Sequence, residues 1–373
     1  PRDPKHLFLS TLLWLSVVAL AGATLLSLLG RLHWFFELFT HFPLQIASGL
    51  IVVILATLLF RRWIPAAIGL LCLLPHLAAL SHYYPSHEFS TKPSNFRVLS
   101  FNVLTSNQSH DTVLTYLSEC DADFIFLMEI NPDWVEALSP LESDYPYFVK
   151  IPRHDNFGMA LYSRHPFASH EIRFIEGAHV PLVHAVIDLD GHELEVIGCH
   201  PVPPVGTRQA SARNAYLAGL TEIATISTLP AVIFGDFNAT VWSPHLRDFI
   251  KTTSLIDSGR KRGFQSTWRR LNPFFSIPID HVFHNAALTC TSRQIGPALP
   301  SLVPITPIES RNRFLRDGWK TYSSNTLVGF LERGKRENKV IVAVARELCA
   351  FIWELHQLMG DDLPASTQTH RNP

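Results

Sequence analysis

The stretch Ala231–Thr240, AVIFGDFNAT, carries a strand-like apolar run directly into Gly-Asp-Phe-Asn. Side chains two residues apart in a strand point to the same face of the sheet. Asp236 and Asn238 are therefore expected to stand side by side at the tip of a buried strand. Gly235 before them lets another backbone or a ligand come close. This strand end is either a polar turn or part of an active site.

The surrounding sequence alternates apolar strand-like runs with helix-like segments from residue 96 onward. The helices are predicted at 109–120, with Ser109 as N-cap, and at 207–227. The strands are predicted at 96–103, 122–130, 157–163, 193–200, 231–238, 277–285 and 287–295. Near-continuous apolar strands between helices are typical of a layered α/β domain.

Polar side chains recur at the ends of these strands, where layered α/β sheets form a crevice. Each alone could be a turn cap, a helix N-terminus or an ion-pair partner. Together they favour hydrolysis of a phosphoester or phosphoanhydride around a hard divalent cation, because buried carboxylates need a compensating charge. Carboxylate and amide oxygens suit Mg²⁺ or Mn²⁺ rather than zinc. The residues are Asn102, Glu129, His200, Asp236, Asn238 and Asp280.

These motifs resemble those of the endonuclease/exonuclease/phosphatase superfamily, which includes DNase I, exonuclease III, neutral sphingomyelinases and inositol polyphosphate 5-phosphatases. The resemblance covers residues 96–300 and implies a DNase I-like, four-layer α/β sandwich, with two sheets face to face and helices outside. The matching segments, in family order, are Leu99–Val103, Phe126–Ile130, His200–Pro204, Gly235–Ala239 and Ile279–Phe283.

The resemblance implies a metal ligand and a water-activating group. Glu129 is similar to the family's principal metal ligand, with Asn102 beside it, and the implied cofactor is Mg²⁺ (or Mn²⁺). Asp236 resembles the residue that aligns or activates the attacking water. Asn238 resembles the neighbour of that residue that holds the phosphate.

The resemblance also implies phosphate-binding and pocket residues. His200 matches the first family histidine, a phosphate-binding and transition-state group. Asp280 matches the carboxylate that orients a second family histidine. Four further residues either line the substrate pocket or are ordinary surface and packing residues: Arg208, Arg213, Thr267 and Trp268.

The chain departs from the family pattern at its last motif. The family closes with Ser-Asp-His, but here the segment SRQIGP is followed by ALPSLVPITP, and no Ser-Asp-His occurs downstream. His281 is adjacent to Asp280 and should point to the other face of the strand. His284 shares the face of Asp280 but should lie ~13 Å away along the strand. Neither histidine is therefore expected to replace the missing one.

The first 82 residues are predicted to form a membrane anchor of three transmembrane helices. Three apolar runs carry no charge, and at ~1.5 Å per residue each is close to the ~30 Å of a bilayer core. Three such runs in a row do not fit a cleaved signal peptide. A polar linker is expected at 83–95. The runs are 7–30, 43–60 and 63–80.

Basic residues predict how the anchor is oriented. Arg2 and Lys5 precede the first run, and Arg61 and Arg62 fill the turn between the second and third. By the positive-inside bias these positions face the cytoplasm, which delivers the following domain to the periplasmic or extracellular side of a bacterial inner (cell) membrane. The arrangement resembles the membrane-anchored bacterial VanJ/YafD-like group of the superfamily.

The C-terminal segment 301–373 is atypical for this family. Its basic lead and single amphipathic pattern, RGKRENKVIVAVARELCAFIWEL, resemble the C-terminal end of some insertion-sequence transposases. The segment is either an unrelated, partly helical extension or the product of a frameshift or insertion before the last catalytic motif.

We expect a membrane-anchored, Mg²⁺-dependent phosphoesterase whose partners are the membrane and a phosphorylated small molecule or lipid. A metal-dependent nuclease is the first alternative, but a formal charge of −1 and the lack of a basic stripe argue against nucleic acid. A catalytically impaired relative that lacks Ser-Asp-His is the second. Five scattered cysteines give no disulfide framework, and nothing in the sequence identifies a protein partner.

Overall fold

The computed structural model of the chain describes residues 4–85, 95–268, 275–297 and 305–306. All of them lie in Pro1–Ser310, the first of the two units into which the chain divides. The predicted linker falls mostly outside the described residues, and so does the predicted C-terminal extension apart from 305–306.

The three uncharged runs of the N-terminal segment are all helical. Two helices are long and apolar enough to cross a membrane, over His6–Leu28 and Trp63–Tyr83. A third span exists only if Trp34–His41 and Pro43–Leu59, which are bent by 69° at their junction, count as one. The helices are α1 (Pro4–Leu28), α2 (Trp34–Leu38), α3 (Pro43–Leu59) and α4 (Trp63–Leu80), with a 3₁₀ turn at Phe39–His41.

Helices α1, α3 and α4 pack against one another as a bundle. Leu50 and Ile54 of α3 are buried against Leu73 of α4 and Leu20 of α1. The opposite faces expose large apolar side chains, as in Leu59 and Trp63. Exposed apolar surface on a bundle with a packed interior is compatible with membrane anchoring.

The first sheet of the following domain has six strands, in the order β11-β12-β1-β2-β4-β3. Strands β1 and β2 run parallel, in the register Asn102 to Met128, and the other pairs are antiparallel. The strands are β1 (Val98–Asn102), β2 (Phe124–Met128), β3 (Tyr147–Ile151), β4 (Met159–Ser163), β11 (Gln294–Ile295) and β12 (Ile305–Thr306).

The second sheet also has six strands, in the order β5-β6-β7-β8-β10-β9. Here β7 and β8 are the parallel pair, and β10 runs antiparallel to β8. The strands are β5 (Phe167–Phe174), β6 (Pro181–Leu189), β7 (His192–Cys199), β8 (Ala231–Asp236), β9 (Ile256–Asp257) and β10 (Asp280–His284).

The two sheets face each other and are flanked by helices, which gives four layers. Phe126 and Phe234 meet edge-to-face between the sheets, with ring centroids 5.4 Å apart. A fully buried side chain of this kind contributes about 1.5–3 kcal/mol of burial free energy. Helices α5 (His110–Glu119) and α6 (Pro132–Ala137) cover the first sheet, and α7 (Thr207–Ile226) and α8 (Pro244–Thr253) cover the second. The predicted DNase I-like, four-layer α/β sandwich is confirmed.

The motif-bearing strands and the two predicted helices, α5 and α7, form where the sequence predicts them, within a few residues. Ser109 precedes α5, but its side chain makes no capping hydrogen bond. The sequence does not predict helices α6 and α8 or strands β3, β5, β6, β9 and β12. Of the strand predicted at 287–295, only Gln294–Ile295 is a strand in the structure.

Candidate functional site

Three polar side chains from the two sheets meet at one edge of the sandwich. Asn102 ends β1, Glu129 follows β2, and Asp236 ends β8. The Asn102 amide Nδ2 donates to Glu129 Oε1 at 2.8 Å and to Asp236 Oδ2 at 3.3 Å. All three side chains are buried. The parallel pairs β1/β2 and β7/β8 bring these positions together, because carboxyl ends of parallel strands lie at the same edge of a sheet.

Glu129 has a left-handed backbone conformation, and hydrogen bonds from the loop residue Thr105 hold it in place. Its φ is +64°, a left-handed conformation that costs a non-glycine residue ~1–2 kcal/mol. Thr105 N–H donates to Glu129 Oε2 at 3.2 Å, and Thr105 Oγ1 donates to the Glu129 carbonyl at 2.8 Å. Sequence reasoning missed Thr105, because it lies in a loop with no strand or helix periodicity.

A second pair of carboxyls lies across the β8/β10 ladder, where Asp236 and Asp280 are register partners. Burial, followed by the charge of Asp280, raises the pKa of Asp236 well above its ordinary value. Burial also raises the pKa of Asp280, to about 7, against the hydrogen bond to Thr267 and the charge of Arg293. Burial raises the pKa of Glu129 as well. The ionised forms of these three carboxyls are therefore disfavoured unless a positive charge joins them.

The chemistry of this cluster fits a hard divalent cation. Two carboxylates supply oxygen donors, while the Asn102 amide oxygen accepts the Leu104 backbone N–H at 3.1 Å. Among the described residues no cationic side chain bonds to Glu129 or Asp236. Within the same residues, no group of three or more His, Cys, Asp or Glu is arranged to hold a metal ion. The fit accordingly rests on two neighbouring buried carboxyls that a cation would allow to ionise.

Asn238 joins the Asp236 strand end to the segment that carries His200. The backbone N–H of Asn238 donates to Asp236 Oδ1 at 2.8 Å, and its Nδ2 donates to the Pro201 carbonyl at 3.0 Å. Its φ of +49° is again left-handed. A short-range bond to a preceding carboxylate is one reason that Asn tolerates this conformation.

His200 is a buried, neutral imidazole at neutral pH. Burial lowers its pKa to about 4. Its ring lies 5.2 Å from that of Phe157, and its Nδ1 is buried without a hydrogen-bond partner among the described residues. A neutral ring with a spare nitrogen can donate to or accept from a bound oxygen.

The four residues predicted to line a pocket lie in different surroundings. Thr267 Oγ1 accepts the backbone N–H groups of Ile279 and Asp280, both at 3.1 Å, so it supports the β10 end. Trp268 forms a backbone bridge to Ile277. Arg208 is exposed on the first turn of α7.

Arg213 does not lie in a pocket. Its side chain is completely buried, and its Nη2 donates to Glu37 of the N-terminal segment at 2.6 Å. A buried, paired guanidinium offers no surface to a substrate. The packing alternative, not the substrate contact, therefore accounts for Arg213.

Neither histidine of β10 faces Asp280 as the missing family histidine would. His281 lies on the other face, where its Nε2 is 2.9 Å from the Ala239 carbonyl and its ring stacks on Phe283. His284 Nδ1 is 2.9 Å from the carbonyl of Asn285. Both rings are engaged elsewhere, as the strand parity and spacing indicate.

Comparisons with known proteins agree with this architecture. A profile of the Endonuclease/Exonuclease/phosphatase family matches residues 99–324. No curated protein matches the sequence.

Several solved structures are similar to parts of the chain. A humanized D. rerio TDP2 with 14 mutations is 16% identical and covers 57% of this chain and 99% of its own, with a TM-score of 0.47. An endonuclease/exonuclease/phosphatase from Beutenbergia cavernae is 16% identical and covers 57% and 70%, with a TM-score of 0.48. Sphingomyelinase C from Streptomyces griseocarneus is 13% identical and covers 58% and 99%, with a TM-score of 0.44.

Proposed function

Because this chain belongs to the endonuclease/exonuclease/phosphatase family, whose members hydrolyse phosphoester bonds and generally depend on divalent metals, we propose that it is a membrane-anchored, Mg²⁺-dependent phosphoesterase. One observation carries the proposal. Three buried carboxyls, Glu129, Asp236 and Asp280, gather with the Asn102 amide at the edge where both parallel strand pairs end. Such a charge cluster suits a site that binds a cation and a phosphoryl group.

Glu129 and Asn102 would hold the Mg²⁺ or Mn²⁺ ion. When bound, the ion would withdraw charge from the phosphoryl oxygens. Thr105 fixes the second carboxylate oxygen of Glu129 and so orients the first toward Asn102. Glu129, Asn102 and Thr105 would therefore bind and orient the ion, and the other site residues would act on the water and the phosphoryl group.

Asp236 would align the attacking water and accept its proton, because its Oδ1 and Oδ2 are already fixed by Asn238 and Asn102. Asn238 and the neutral His200 would hold the phosphoryl oxygens as charge shifts toward the leaving group. In the reaction, an oxygen–phosphorus bond forms from water and the bond to the leaving oxygen breaks.

The substrate would be a phosphorylated lipid or a lipid-linked pyrophosphate on the periplasmic or extracellular face. This part of the proposal is supported by the apolar N-terminal helices, which are compatible with membrane anchoring. The formal net charge of −1 also supports it, because nucleic-acid binding depends on positive charge that contacts the phosphates.

A specific observation favours a second candidate, a relative that binds metal or phosphate without turnover. Among the described residues, no histidine contacts the Asp280 side chain, and His281 and His284 bond elsewhere. The family's second histidine therefore has no replacement within that part of the chain.

The test is phosphate release by the full chain in detergent, with a polyprenyl pyrophosphate and Mg²⁺. Glu129→Gln should lower the rate by more than about 100-fold, while the exposed Glu136→Gln should match the parent. Nicking of plasmid DNA under the same conditions would instead identify a nuclease. Mg²⁺ or Mn²⁺ binding without release from any substrate would identify the non-catalytic relative.

A further inference from the structure

The short segment between α1 and α3 places two polar residues, Glu37 and His41, in buried positions. They lie at the same end of the helical bundle as Ala79, whose carbonyl accepts Trp242 Nε1 at 2.9 Å. Buried charged and polar groups need fixed partners. Their partners are in the α/β domain: Thr240 and Ser243 of the loop that follows Asp236, and Arg213 of α7.

His41 contacts this loop four residues after Asp236. The backbone N–H of Thr240 donates to His41 Nδ1 at 3.3 Å, and Thr240 Oγ1 lies 3.0 Å from the same nitrogen. A nitrogen that accepts a backbone N–H carries no proton, so the proton of a neutral His41 is on Nε2. His41 thus acts as an acceptor for the loop.

Glu37 fixes the far end of the same loop. Its Oε1 accepts the Ser243 hydroxyl, and its Oε2 accepts Arg213 Nη2. Ser243 in turn caps α8, and its N–H donates to the Thr240 carbonyl at 2.9 Å. Both ends of the Thr240–Ser243 turn are therefore bonded to residues of the N-terminal segment.

The loop needs such support because it begins in a strained conformation. Asn238 has a left-handed φ, and its N–H and Nδ2 point to Asp236 and Pro201. His281 holds the Ala239 carbonyl from the β10 side. His41 of the N-terminal segment holds the next residue, Thr240.

We propose that Glu37 and His41 are positioning residues for the catalytic loop, so that the membrane anchor forms part of the active-site scaffold. The inference rests on the proposed function, because it acts through Asp236 and Asn238. A loop displaced by ~1 Å can cost about 100-fold in rate, and loss of an outer supporting residue typically costs about 10- to 100-fold.

The experiment compares full-chain variants in detergent with polyprenyl pyrophosphate. His41→Ala should lower kcat about 10- to 100-fold with little change in KM. His41→Asn keeps an acceptor at the position of Nδ1 and should recover most of that loss. Glu37→Gln tests the far end of the loop and should also lower kcat.

Arg31→Ala is the matched control. Arg31 also joins the bundle end to the α/β domain, with Nη2 donating to Asp248 Oδ1 at 2.8 Å, but this pair is exposed and touches no part of the loop. Its kcat should equal that of the parent. Equal kcat values for His41→Ala and Arg31→Ala, or a His41→Asn variant no better than His41→Ala, would overturn the inference.

Mn²⁺ affinity, measured by electron paramagnetic resonance, separates this inference from the proposed function. If the parent binds Mn²⁺ but releases no phosphate, weaker binding in His41→Ala than in Arg31→Ala still supports positioning, and equal binding contradicts it. If the parent neither binds nor hydrolyses, the proposed function fails. Amide exchange of 237–243 then decides: faster exchange in His41→Ala than in Arg31→Ala supports positioning, and equal exchange contradicts it.

Discussion

At the scale of single residues, Asn102 bridges two carboxylates that burial makes reluctant to ionise. Its one amide nitrogen reaches both Glu129 and Asp236. A donor shared in this way leaves each carboxylate with unused acceptor capacity. The site is therefore assembled before any ligand arrives, and its remaining need is for positive charge.

A cation that meets this need should stabilise the fold. The Tm of the full chain in detergent should rise with Mg²⁺ or Mn²⁺. At 100 times the Kd, the bound ion should add about 2.7 kcal/mol to the free energy of unfolding. Excess EDTA should reverse the rise, and Glu129→Gln should remove most of it. A Tm that does not respond to either metal in the parent would contradict a metal site here.

Gly235 is a second residue whose identity the site requires. Its φ is +150°, and an added Cβ would lie 1.8 Å from the Cys199 carbonyl oxygen. Gly235→Ala should cost about 3 kcal/mol of unfolding free energy or more, because a strand backbone cannot yield that far. Gly22→Ala, with no atom within 4 Å of its added Cβ, is the control and should not lower the Tm, because Ala favours a helix more than Gly does. Thermal unfolding in detergent measures both.

At the scale of elements, β9 and the end of α4 are joined through Asp257. His82 Nε2 lies 2.9 Å from Oδ2, and Arg293 Nη1 lies 3.4 Å from Oδ1. Burial alone would raise the pKa of Asp257, but the His82 hydrogen bond and the charges of His281, Arg293 and His82 hold it well below its ordinary 3.8.

The lowered pKa makes Asp257 a source of acid sensitivity. The carboxylate stabilises the fold above pH 3.8, the ordinary value, and this contribution fades as pH falls toward the folded-state pKa. Asp257→Asn should lower the free energy of unfolding by about 1–3 kcal/mol at neutral pH. Below about pH 4 its stability should fall less steeply with pH than that of the parent. Unfolding measured across this range tests it, with the exposed Asp111→Asn as control. An unchanged pH profile in Asp257→Asn would refute the assignment.

The elements that carry motifs were the ones that the sequence predicts well. Strands β1, β2, β8 and β10 are buried on both faces, and β2 and most of β8 read as continuous apolar runs. Strand β5 is an edge strand with exposed and charged side chains, and its pattern resembles a loop. Its pairing with β6 depends on tertiary contacts that no local window contains.

The sequence likewise predicts only some residues and contacts of the site. Glu129, Asp236 and Asn102 follow from strand ends and a family pattern, and the structure brings them together. The link between Glu37 and Arg213 spans 176 residues and could not be predicted, because no spacing rule applies at that separation. A polar break between two apolar runs was the one available signal for Glu37.

At the scale of the whole molecule, the contacts between the N-terminal bundle and the α/β domain lie at one end of the bundle, among the residues that the structure describes. Tyr83, in the turn after α4, and the segment containing Glu37 both contact the domain. The turn at Arg61 and Arg62 lies at the other ends of α3 and α4. If the bundle spans a bilayer, these two ends face opposite compartments.

This arrangement predicts which positions a membrane-impermeant maleimide can reach. In sealed right-side-out vesicles, Glu119→Cys in the α/β domain should be labelled from outside and Arg62→Cys only after the membrane is opened. The parent chain, treated with the same maleimide, is the control for labelling of the native cysteines. Labelling of both positions from the same side would exclude the proposed topology.

If the bundle spans a bilayer, fixing the loop after Asp236 to the bundle end would also set the distance of the carboxyl cluster from the headgroup plane. A phosphoesterase mounted at a constant height would meet its substrate by lateral diffusion in two dimensions. Its rate would then follow the number of substrate molecules per area of bilayer, and diluting the vesicles at constant lipid composition would leave turnover unchanged.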